Sequence, residues 1–140
     1  MIGHRLEDLS VGQSAERAFA VTDEAVRAFA AVSGDDNPLH LDEAFAATTV
    51  FKGRVAHGML PGAYISAVLG TNLPGPGAVY VSQTLNFRGP VRIGDVVTVV
   101  VKVTAIDEAK GHVTLSTVCK VGCKRLVTGE AVLIPPRRAG

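Results

Sequence analysis

A chain of 140 residues, 47% of them apolar, can bury one hydrophobic core, is too short for two, and is too apolar to be a disordered tail. Its 14 Lys and Arg against 13 Asp and Glu leave a net charge of +1 without a Lys/Arg block or an aromatic stacking platform, which argues against nucleic acid as a partner. Residues 1–14 have no apolar core of signal-peptide length and no apolar run is long enough for a membrane span, so the expected location is the cytoplasm, away from membranes.

In chain order, residues 15–21 read as a first strand. Thr22 stands before Asp23-Glu24 and the amphipathic run 25–32, the pattern of an N-cap, an acidic first turn and a helix. Gly34 ends that helix. Pro38 biases Asn37 toward extended geometry, so the segment up to His40 is predicted to be a defined loop. Asp42 then caps a short helix over residues 43–47. From His57 to about Leu69 nearly every residue is apolar or small, which predicts a helix buried on all sides, with Pro61 in its first turn and Gly70 as its stop.

Beyond Gly70 the period changes to two. Val79, Val81, Leu85 and Phe87 are expected on one face of a strand, and Val97, Val99, Val101 and Val103 on one face of the next, with Pro90 and Gly94-Asp95 between them. Val113, Leu115, Thr117, Cys119 and Val121 mark a third strand after Lys110-Gly111, and residues 126–134 a fourth after Gly122. Helices early and strands late give an α+β class, an antiparallel meander laid against one buried helix. Cys119 and Cys123 have no His or second Cys pair to complete a zinc site and read as reduced thiols.

The chemistry concentrates in two places. Asp35, Asp36 and His40 share one short stiffened segment, where either carboxylate is close enough along the chain to work with His40 as an acid/base pair. Gly58 opens the apolar helix, where an unpaired amide can hold developing negative charge. Each residue also has an ordinary reading. Asp35 and Asp36 are common turn residues, Asn37 braces a loop, His57 packs or caps, and Gly58 eases helix packing. Ser66 bonds a carbonyl one turn back, Met59, Leu60 and Ile65 fill the core, and His4 and His112 are exposed.

The run Ser33-Gly34-Asp35-Asp36-Asn37-Pro38-Leu39-His40-Leu41-Asp42, then Phe45-Ala46, Phe51 and Ala56-His57-Gly58-Met59-Leu60, resembles the signature of the MaoC-like (R)-specific enoyl-CoA hydratases. The similarity continues through Phe87-Arg88-Gly89-Pro90-Val91 and Gly94-Asp95 to Thr128-Gly129-Glu130-Ala131, and it is nearest to the short single-domain hydratases that supply polyhydroxyalkanoate synthesis. It implies a hot-dog fold, an antiparallel sheet wrapped around a long central apolar helix, as one domain over residues 1–140. The implied activity is reversible syn hydration of trans-2-enoyl-CoA to (R)-3-hydroxyacyl-CoA.

Residue by residue, the resemblance puts the catalytic Asp on Asp35, the catalytic His on His40, the oxyanion amide on Gly58 and a helix-borne pocket Ser on Ser66. Asn37 supports the dyad, and Asp36 falls where the family varies. No cofactor and no metal is implied. The implied partners are an acyl-CoA thioester and a second copy of the chain in a homodimer, with CoA near the subunit boundary. Arg54, Arg88 and Lys124, candidates to meet CoA phosphates, are scattered along the sequence. The competing readings are a 3-hydroxyacyl-[acyl-carrier-protein] dehydratase, a hot-dog thioesterase and a non-catalytic acyl-CoA-binding subunit.

Overall fold

The computed structural model describes residues 3–138. After a 3₁₀ turn over Leu6–Asp8, its elements in chain order are β1 (Ser14–Ala20), α1 (Asp23–Ser33), α2 (Pro38–Leu41), α3 (Glu43–Ala47), α4 (Met59–Thr71), β2 (Val79–Gln83), β3 (Asn86–Phe87), β4 (Val96–Asp107), β5 (His112–Val121) and β6 (Lys124–Ile134). Thr22 Oγ1 accepts from Ala25 N at 3.0 Å to cap α1, and Gly34 ends it in the left-handed region, as the sequence predicts.

The inner face of the sheet is the predicted one. Val97, Val99, Val101 and Val103 of β4 and Val113, Leu115, Thr117 and Cys119 of β5 are fully buried, because alternate side chains of a strand share a face. β4, β5 and β6 form an antiparallel meander, turning at Gly111 and Gly122, where positive φ suits glycine. The rest is not a simple meander. β1 pairs with β4 and β2 with β6, giving the order β1-β4-β5-β6-β2, with β3 also on β6.

α4 lies across the inner face and buries Leu60, Ile65, Val68 and Leu69 against β1, β4 and β5. Cys119 fastens the two layers. Its thiol lies 3.6 Å from the Pro61 carbonyl, and burial pushes its pKa up to about 12, so it stays a thiol. A central helix held by an antiparallel sheet is the hot-dog arrangement, and the class is α+β. No helix of the described residues is long and apolar enough to cross a membrane.

Several expectations change. α4 begins at Met59, runs one residue past Gly70, and is not buried all round. The sheet covers one side only, so Met59 is 53% exposed, and Ala63, Ser66 and Gly70 continue an open stripe at helical spacing. The segment before His40 is not loop throughout, because Pro38 takes the first position of the short helix α2, where its fixed φ and missing N–H fit.

The predicted strand through Val79, Val81, Leu85 and Phe87 is broken in two. An extra residue, Val81, bulges between Tyr80 and Ser82 and reverses the facing of the residues beyond it. His4 is half-buried with Nδ1 3.2 Å from the Pro74 carbonyl, and His112 is half-buried opposite Asp107.

Candidate active site

The segment from Ser33 to His40 is shaped by short-range hydrogen bonds from its own polar side chains. Ser33 Oγ accepts from Asp35 N at 3.1 Å, Asp35 Oδ1 accepts from Asn37 N at 3.2 Å, and Asn37 Oδ1 accepts from Leu39 N at 3.0 Å. Three successive side-chain caps turn the chain from α1 into α2 without a regular element between them. Asp35 is exposed, with one carboxylate oxygen held by the Asn37 amide. His40, on α2, is 7% exposed.

Carbonyl partners fix the histidine tautomers. His40 Nδ1 lies 2.8 Å from the Val55 carbonyl, which can only accept, so Nδ1 carries a proton and, in the neutral imidazole, Nε2 is the bare nitrogen. His57 Nε2 lies 2.9 Å from the Asp35 carbonyl and donates to it. The two imidazoles stack with centroids 3.9 Å apart, and Phe29 packs on the far ring at 5.0 Å. His57 is thus packed, as its ordinary reading holds, and also grips the backbone of Asp35. Its Nδ1 is buried without a hydrogen-bond partner among the described residues. Asp35, His40 and His57 each place one side-chain donor atom within 4.8 Å of the others.

Arg54 braces the same unit from below. Its Nε donates to the His40 carbonyl at 2.7 Å and its Nη2 to Asp23 Oδ1 at 2.6 Å, with the side chain only 13% exposed. Asp23 also takes Arg27. The Arg54 guanidinium, then that of Arg27, holds the Asp23 carboxyl below the usual range. Arg54 is therefore committed to internal contacts.

Gly58 sits at the N-cap of α4, ahead of the first intrahelical bond, where the N–H points out of the helix end. A Cβ here would come within 3.1 Å of the Phe87 ring, so glycine lets the β3 aromatic close down over the helix start. Leu39, His40, Phe51, His57, Gly58 and Phe87 are among the walls of an apolar cleft of about 500 Å³. His40 and Gly58 both line this cleft, and Asp35 has a carboxylate oxygen within 4.8 Å of a ring nitrogen of His40. Ser66 is elsewhere: it is exposed on the open stripe of α4 and lines a second cleft with Met59, Tyr80 and Leu85. Asp36 is exposed in the turn.

A MaoC-like domain matches residues 9–122, which is most of the chain. The chain belongs to the MaoC-like family. It is 51% identical over 138 residues to the (R)-specific enoyl-CoA hydratase of Rhodospirillum rubrum, covering 99% of this chain and 96% of that one. Among solved structures of the family, the unliganded R-hydratase of Pseudomonas aeruginosa superposes with a TM-score of 0.92 at 45% identity, covering 97% of this chain and 88% of that one. The (R)-hydratase of Aeromonas caviae involved in PHA biosynthesis gives 0.90 at 48% identity, covering 93% and 99%. The same architecture therefore occurs in proteins named as hydratases.

The sequence could not have pointed to the Val55 carbonyl, since every residue has one. Arg54 left a fainter signal: a lone arginine between glycine and valine, next to an apolar helix, whose charge needs a partner.

Proposed function

We propose that this chain is an (R)-specific enoyl-CoA hydratase, a hydro-lyase that adds water reversibly to trans-2-enoyl-CoA to give (R)-3-hydroxyacyl-CoA. One observation carries the reading. A carboxylate and an imidazole, each with one atom bonded to the backbone, have ligand atoms within 4.8 Å of each other, and the imidazole lines an apolar cleft that also holds a helix N-terminal amide.

A water held between the free oxygen of Asp35 and the bare Nε2 of His40 finds two acceptors and presents its oxygen lone pair to C3 of the enoyl thioester. As the C3–O bond forms, one member of the pair takes the water proton and the alkene electrons move toward the thioester oxygen. The Gly58 N–H stabilises that oxygen, an interaction worth about 3 to 4 kcal/mol of barrier in comparable sites. Collapse of the enolate-like state takes a proton from the same pair at C2, so the elements of one water add to one face of the double bond. No electron is transferred, so the step needs no redox cofactor.

A homodimer completes the proposal. The sheet order leaves β2 as an edge, and Val79 (59% exposed), Val81 and the open stripe of α4 form an apolar surface beside it. Pairing of two copies along this edge covers that surface. Light scattering at micromolar concentration should return twice the chain mass, and a monomer there counts against the dimer.

The function is tested by following loss of the enoyl absorbance of trans-2-enoyl-CoA across chain lengths, with chiral analysis of the product. Hydration to the (R)-alcohol is the expected result. A predominant (S)-alcohol, thiol release from a saturated acyl-CoA, or activity confined to carrier-protein thioesters overturns it.

A further inference from the structure

Two imidazoles and a carboxylate are gathered where the proposed chemistry takes place, and one lone pair among them has no part in it. Asp35 follows α1, His40 lies on α2 and His57 precedes α4, so three separate elements contribute. Each residue offers one donor atom within 4.8 Å of the others. A tetrahedral zinc ion, bound at about 2.0–2.2 Å, keeps its ligand atoms about 3.3 Å apart. Even at the 4.8 Å limit, closing three such atoms onto an ion moves each by about 1 Å. Asp35, exposed in its turn, has that freedom.

The hydrogen bonds follow the pattern of metal-binding histidines. Such a histidine donates the N–H of one ring nitrogen to a carbonyl or carboxylate, which fixes the tautomer and turns the other nitrogen over to the ion. Both histidines here do so. His40 donates from Nδ1 to the Val55 carbonyl at 2.8 Å, which puts the lone pair of its neutral ring on Nε2. His57 donates from Nε2 to the Asp35 carbonyl at 2.9 Å, which puts its lone pair on Nδ1. Arg54 Nε in turn holds the His40 carbonyl at 2.7 Å.

His57 carries the observation that an acid/base pair leaves unexplained. The residue is 2% exposed, and its Nδ1 is buried with no hydrogen-bond partner among the described residues. A buried lone pair without a donor calls for a water or an ion beside it. Two imidazoles and one carboxylate are also the protein ligands of open zinc sites, whose fourth position goes to solvent or substrate. Zinc suits a set of donors already fixed by other bonds, because its filled d shell imposes no geometry.

We propose that Asp35, His40 and His57 form a binding site for a divalent first-row ion, zinc being the member that fits, and that an ion held there inhibits hydration. The ion occupies the Asp35 carboxylate and the His40 Nε2 lone pair, the two acceptors that the attacking water needs, so the pair can take no proton. The inhibition rests on the hydratase reading, while the ion site rests on the three side chains alone.

The test uses the full chain carrying Cys123→Ser, which removes the exposed thiol as a competing ligand. Binding of zinc ion alone is measured by calorimetry, and hydration of trans-2-butenoyl-CoA is followed with zinc and then with excess chelator. One ion per chain should bind, with hydration falling by about tenfold or more at saturation and returning once the chelator has removed the ion. His57→Phe should weaken zinc binding by about tenfold or more, and so should Asp35→Asn, an exposed position where a change leaves the core alone. His112→Gln, at the imidazole opposite Asp107 across β4 and β5, should bind zinc and respond to it as the parent does.

A parent chain that binds no zinc, binding unchanged in His57→Phe or Asp35→Asn, or binding lost in His112→Gln overturns the proposal, as does hydration that zinc leaves intact or accelerates. A chain that binds one zinc ion through Asp35 and His57, yet hydrates no enoyl thioester, defeats the hydratase reading and leaves the ion site standing.

Discussion

His57 lies with its ring against that of His40, centroids 3.9 Å apart, while its Nε2 holds the backbone carbonyl of Asp35. One side chain thus touches both proposed acid/base partners. It acts on both ends of the pair at once, on the ring of one and the main chain of the other.

Replacing His57 with Phe separates these two functions. The ring and its stacking survive, the bond to Asp35 is lost, and the unpartnered buried Nδ1 disappears with it. Because loss and relief offset each other and the Asp35 carbonyl belongs to an exposed residue, stability should move by no more than about 1 kcal/mol. Turnover should drop by about tenfold or more while KM shifts little, since misplacement of a reacting group costs rate rather than binding. Equal loss of folding and activity in thermal melts and steady-state assays would argue for a purely structural His57.

For the proposed pair itself, Asp35→Asn keeps an oxygen that accepts from the Asn37 amide, and His40→Gln keeps a donor for the Val55 carbonyl. Each should cut turnover by about 10²- to 10⁴-fold, the range for positioned acid/base groups, with the melting temperature little changed. Full activity in either variant sinks the mechanism.

Arg54 makes His40 sensitive to a carboxylate on α1. Arg54→Gln should lower turnover by about tenfold, with Arg54→Lys in between because an ammonium cannot span both the His40 carbonyl and Asp23 as the guanidinium does. Asp23 adds a pH dependence. Its folded pKa is depressed by Arg54 and Arg27, so its contribution to stability is present above the ordinary Asp value and is lost as pH falls through the depressed one. Asp23→Asn should therefore melt lower than wild type at neutral pH, and the gap should close only well below pH ~4. A gap constant down to pH ~2 would exclude this linkage.

Gly129→Ala tests the other side of the cleft. A Cβ at Gly129 would stand 1.9 Å from the Thr84 carbonyl oxygen, and that contact is backbone, which cannot swing aside. Thr84 also donates its N–H to the Glu130 carbonyl at 2.9 Å, so the β2–β3 junction is pressed flat on β6. Urea unfolding should show a loss of about 3 kcal/mol or more, at the upper end for overpacking, and Phe87 should lose its seat over Gly58. A stable, fully active variant would mean that this junction can shift freely.

Much of this architecture is legible in the sequence, and the parts that are not have identifiable causes. The buried valines of β4 and the caps at Thr22 and Asp42 follow from local rules: period two, and a short polar side chain bonding the next turn. Asn37-Pro38 reads two ways, because the same proline that disfavours helix at the residue before it is well suited to begin one. The 79–87 strand departs from its pattern because a single inserted residue, Val81, switches facing, and only the partner strand records it. Asp35, His40 and Gly58 stand out by residue type and order. Arg54 and the Val55 carbonyl do not, because they arise from pairings between residues distant in the sequence.

The pairing of β1 with β4 has a kinetic meaning as well. The sheet can begin locally, with β4, β5 and β6 zipping through two tight turns, but β1 can join only by closing a loop that contains α1, α2, α3 and α4. Closing so long a loop delays its contacts relative to the hairpins. Asp35, His40 and Gly58 all ride on that loop, while Val127, a wall of the cleft that His40 and Gly58 line, belongs to β6. A chain whose Ser33 to His40 segment is already ordered therefore still lacks one wall of that cleft, and the proposed chemistry waits on the pairing of β6.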